Sequence, residues 1–174
     1  MTAPPTFEPW LQFYAVIGAA AATLMGLLFV AVSLNAAAAL AKGPHGSRRI
    51  AEQAFQNFLA VLMVALLALL PDLTVVTFGR VTLLTTSAWT VWVLVRLWQA
   101  LAEPSRHETR ATAFRQHLST LIGFAMLIYA ASRMAVGGPD ARDSLAAATI
   151  VLLFSATEKA WGLLVRIAEG DPRA

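Results

Sequence analysis

The sequence predicts an all-α protein, a transmembrane helical bundle of about five spans with the N-terminus outside and the C-terminus cytoplasmic. Three observations lead there. Of the 174 residues, 58% are apolar and only 13% charged, about half the charged share of a soluble domain. The mean hydropathy is +0.66, and one core of this size could not hide so much apolar surface from water. The cations collect in short stretches between long apolar runs, as topology-setting residues do beside membrane spans.

Between Glu8 and Lys42 no residue is charged, and FYAVIGAAAATLMGLLFVAVSLNAAAAL fills that interval. This exceeds the ~20 residues a spanning helix needs. The first span is therefore placed at about 12–40, stopping at Lys42-Gly43-Pro44. Met1 to Pro9 holds no Lys or Arg, whereas a secretory signal opens with a basic region; the first span reads as permanent.

A second span is expected at 52–71, from AFQNFLAVLMVALLALL to a stop or kink at Pro71. After a connector around Thr74 to Gly79, the third runs over 81–102, interrupted by Arg96. The polar loop EPSRHETRATAFRQH follows. The fourth covers 118–136 and ends at the turn signal Gly137-Gly138-Pro139-Asp140. The fifth covers 144–167 and contains Glu158-Lys159. An interfacial helix would need a polar face along its whole length, and AAATIVLLF is apolar on every side, so crossing is preferred. Residues 1–174 then form a single transmembrane domain without internal repeat. An odd number of spans excludes two equal inverted halves within one chain.

Orientation follows from the loop cations. Lys42, Arg48, Arg49, Arg106, Arg110, Arg115, Arg166 and Arg173 fall on one side of the alternating spans, against Arg80 and Arg142, with Arg133 nearby. The side rich in Lys and Arg is the cytoplasmic one.

Two groups of residues are candidate sites. Gly18, Ala22 and Gly26 recur every four residues on the first helix, a spacing that admits a second helix closely. They serve either an oligomer or partner interface, or packing against this chain's own helices. Arg96, Glu158 and Lys159 are charges at membrane depth. Arg96 lies about 16 residues into its span, roughly 24 Å, and the pair at 158–159 lies at a similar depth. A buried charge in lipid costs a few kcal/mol unless it pairs or snorkels, so an Arg96–Glu158 contact is expected. Asn35, Glu52, Gln53, Gln56 and Asn57 could join this intramembrane polar layer. The layer is either an ion or proton path or an interhelical clamp. Thr82, Thr85, Trp89, Trp92, Arg96, Gln99 and Glu103 form a semi-polar stripe on the third span, best accounted for by packing.

Several functions are argued against. With no cysteine there are no disulfides, thiolate metal sites or thiol nucleophiles. His45, His107 and His117 lie in or beside loops, and no HExxH, Walker A or GxGxxG sequence occurs. An enzyme, a cofactor, a metal site and nucleic-acid binding are therefore not expected.

FYAVIGAAAATLMGLLFVAVSLN, the short basic loop after it and the apolar span ending ALLALLPD resemble a family of uncharacterised small bacterial membrane proteins with a GLLFVAVSLN-type first helix. Some members carry an untested label as modulators of a membrane-bound protease. The resemblance covers about the first 70 residues and implies a multi-pass protein of the bacterial cytoplasmic membrane. The resulting expectation is a subunit or modulator working through helix packing, in contact with membrane lipids and with other subunits or copies of itself. A homo-oligomeric channel or transporter is the alternative.

Overall fold

The computed structural model describes residues 10–35, 46–71, 73–102, 110–138 and 141–168. These form α1 (Leu11–Leu34), α2 (Gly46–Ala68), α3 (Val75–Ala102), α4 (Arg110–Ala135) and α5 (Ala141–Ala168), and no strand occurs among the described residues. All five helices contain a stretch long and apolar enough to cross a membrane: Leu11–Leu34, Ile50–Ala68, Val75–Val95, Leu118–Ala135 and Ala141–Val165.

The helix bounds differ from the sequence expectation at several places: α2 starts at Gly46 and not at 52 and ends at Ala68 and not at 71, and α4 starts at Arg110 and not at 118, inside the stretch expected to be a polar loop. The segment around Thr74 to Gly79 is not a connector, because α3 already begins at Val75. Thr74 caps it: the Thr77 amide donates to Thr74 Oγ1 at 3.2 Å, satisfying one of the N–H groups that a helix start leaves open. Gly79, which reads as a breaker in the sequence, is instead a contact glycine inside the helix. The fifth helix starts at Ala141, ahead of 144. Between α4 and α5, the Gly138 amide donates to the Arg133 carbonyl at 2.8 Å and the Gly137 amide to Met134 at 3.0 Å. Gly137 has φ +73°, the left-handed conformation that this paired-bond helix ending requires.

The chain divides into two compact units. The first comprises α1, α2 and the part of α5 from Leu152 onward. On α1, Tyr14, Gly18, Ala21 and Leu28 are buried, with Met25 and Val32 partly so. On α2 the buried series is Ile50, Ala54, Asn57, Val61, Val64 and Ala68. Both series step alternately by four and three residues, which keeps each on one face of its helix. The helices run antiparallel. A Cβ on Gly18 would lie 3.0 Å from Ala65 Cβ near one end, while Leu28 clusters with Ile50, Ala54 and Phe58 near the other. Ala156 and Leu163 of α5 complete that cluster.

The second unit comprises α3, α4 and the part of α5 up to Val151. Here α3 packs against α4. Val75, Gly79, Thr82, Thr86 and Val93 supply the α3 seam, and Thr120, Phe124, Leu127, Ala131 and Met134 that of α4. The backbones approach most closely at Gly79, where a Cβ would lie 2.5 Å from Ala135 N and 2.7 Å from Met134 Cβ. At the other end Trp89 packs on Phe124, their ring centroids 6.4 Å apart.

Candidate functional site

The polar side chains expected in one layer have separate positions. Asn57, fully buried on α2, donates from Nδ2 to Ser155 Oγ of α5 at 3.3 Å. This bond ties the third helix of the first unit to the α1–α2 pair. Ser155 was not anticipated as part of it, since a serine in an apolar run carries no distinguishing signal. Asn35 turns back on its own helix, Nδ2 donating to the Ala31 carbonyl at 2.9 Å. Glu52 and Gln56, one turn apart on α2, line a groove of about 230 Å³ with Leu28, Phe29 and Val32 of α1 and Ala51 and Phe55 of α2.

Glu158 is exposed and Lys159 half-buried. Glu158 lies seven residues before the end of the apolar stretch at Val165, about 10 Å along the axis. Phe154 and Trp161, on the same outward face, are 71% and 69% exposed. The carboxylate therefore stands between two large aromatic side chains on the outer surface. Arg96 is part of α3, but its side chain, and with it the expected Arg96–Glu158 contact, lies outside the described residues, as do the side chains of Gln99 and Glu103.

The small residues of α1 are divided between two faces. Gly18 is buried against Ala65, whereas Ala22 and Gly26 are exposed, and a Cβ on Gly26 would meet nothing within 4 Å. Steps of four overshoot the 3.6-residue turn by about 40° each, so a strict four-residue stripe winds off a seam built on alternating fours and threes. The stripe on α3 separates likewise. Thr82 and Trp89 face inward, while Thr85 and Trp92 are exposed. Thr85 bonds to its own backbone at Val81, 2.9 Å away, the usual arrangement for a helical threonine. Gly79, the tightest approach, lies outside both anticipated groups.

Among the described residues no His, Asp and Glu cluster has the makings of a metal site. The chain thus has the make-up of a polytopic helical membrane protein. Asn57 and Ser155 bond between helices, Asn35 and Thr149 bond back to their own helices, and Glu158 stands on an outward face. No protein-family model, curated protein or solved structure matches the sequence.

Proposed function

We propose that the protein is a subunit or modulator of a membrane complex, working by helix packing through the outward face of α5. The observation that carries this reading is Glu158 between exposed Phe154 and Trp161 within a span-length helix. A carboxylate facing hydrocarbon is costly, and intramembrane acids mark contact with a partner or a polar path. A neighbouring helix that presents a cation or a hydrogen-bond donor at that level would cover all three side chains. Ala22 and Gly26, exposed on α1, offer a second place for close approach. The cation distribution supports an N-terminus outside and a C-terminus in the cytoplasm. The resemblance of the first two helices to small bacterial membrane proteins supports the bacterial cytoplasmic membrane as its location.

The test is purification in mild detergent with the stoichiometry of what accompanies the chain, repeated for Glu158→Gln and Glu158→Leu. A single copy bound to other subunits is expected. Glu158→Leu should weaken the association about three- to twentyfold, the range measured for interhelical hydrogen bonds in membranes. A symmetric ring of copies with Glu158 on its axis would instead favour a channel. A lone monomer that behaves identically in all three forms would exclude both.

A further inference from the structure

On the part of α5 that belongs to the first unit, Phe154, Thr157, Trp161 and Leu164 are all exposed and step by three, four and three residues. That rhythm keeps them on one stripe of the helix, with Glu158 at its edge between the two aromatic rings. Leu152, Ser155, Ala156 and Leu163 take the buried side, so the stripe is the outward one.

The stripe makes two demands on whatever helix covers it. A helix crossing at a shallow angle presents the same side every seven residues, which is the spacing of Phe154 and Trp161. Both rings are exposed, and close approach of a second backbone requires a small residue opposite each. The carboxylate sets the other demand. Among the described residues no hydrogen bond or ion pair reaches Glu158. The adjacent Thr157 hydroxyl is turned to its own helix, donating to the Leu153 carbonyl at 2.9 Å. Lys159 follows about 100° round the helix and is half-buried, off the stripe. A carboxylate in hydrocarbon calls for an opposite charge at its own depth, and the covering helix is the element placed to bring one.

We propose that the partner on α5 is a transmembrane helix with two small residues seven positions apart and a lysine or arginine between them, the small residues seated on Phe154 and Trp161 and the cation paired with Glu158. This rests on the reading of α5 as the partner face and narrows it, since a neutral donor no longer suffices.

The test uses the whole protein in phosphatidylcholine vesicles with a synthetic probe helix. The probe is a dansylated peptide of about 20 leucines, with two glycines one heptad apart and a lysine between them, about 10 Å from one end. Energy transfer from the protein's tryptophans reports association. The probe should bind about three- to twentyfold more tightly than the same peptide with leucine for lysine, the range for interhelical polar contacts in membranes. Glu158→Gln should abolish that preference. A probe with the lysine but phenylalanine at both glycine positions should bind as weakly as the leucine form. Equal binding of the lysine and leucine peptides would overturn the proposal, and so would a preference that survives Glu158→Gln. A preference seen only in Lys159→Gln or Arg96→Gln would overturn it too, because this chain would then supply the cation itself. A native subunit lost with Glu158→Leu but lacking a cation at that level would overturn this inference and leave the partner reading standing, whereas a lone monomer would remove both.

Discussion

Single glycines in this protein have opposite roles, and substitution separates them. Gly79→Ala drives a methyl group into the backbone of α4 at Ala135, which cannot move aside as a side-chain tip would. It should cost about 1–3 kcal/mol, the range for overpacking, seen as a lower melting temperature in detergent. Gly26→Ala meets no neighbour and should raise the stability of the isolated chain by about 0.5–1 kcal/mol through backbone entropy. Equal effects at the two positions would contradict the packing described for α3 and α4. Ser155→Ala removes the acceptor of the Asn57 amide and should cost about 0.6–1.7 kcal/mol; a neutral result in reversible unfolding would show that the bond adds nothing. Asn57 was legible as a polar residue in an apolar helix, but its partner was not. Finding Ser155 requires knowing which turn of a distant helix lies opposite, and a one-dimensional pattern does not carry that.

At the scale of the helix, the seams explain both what the sequence revealed and what it concealed. Length and apolarity alone place five helices, because apolar runs of that length suit a helix, which satisfies its backbone hydrogen bonds within one segment. The faces are harder to assign. In a soluble protein the polar side of a helix announces the buried side, but here Leu27, Phe29 and Val30 are exposed beside buried Leu28, so apolar residues occupy both. The start of α3 was missed because Gly79 resembles a breaker while the cap at Thr74 gives a quieter signal. Thr74→Val should remove the bond to the Thr77 amide and cost about 1 kcal/mol. Amide exchange should then quicken over Val75 to Phe78 and stay unchanged in the middle of α3. Protection unaltered in that first turn would deny Thr74 its capping role.

For the whole molecule, the topology can be tested cleanly because the chain contains no cysteine. With the N-terminus outside, a single cysteine at Val136, which is exposed beyond the end of α4, should react with a membrane-impermeant maleimide in intact cells. One at Ser105, in the basic stretch of sequence between α3 and α4, should react only after permeabilisation. The reverse pattern would invert the orientation. Such charge bias is the one global property that the sequence displays directly, since it depends on counting cations rather than on contacts.

The division of α5 between the two units sets an order on how the protein can be made. Chains grow from the N-terminus at about 5–20 residues per second. The α1–α2 pair therefore leaves the ribosome well before Ser155, Ala156 and Leu163, the α5 residues that complete its unit. For several seconds Asn57 and Phe58 lack their α5 neighbours while two further helices are synthesised. The α1–α2 unit is thus the last to be finished, and a product stopped at Val151 would hold every residue of the α3–α4 unit while its first two helices lacked their third.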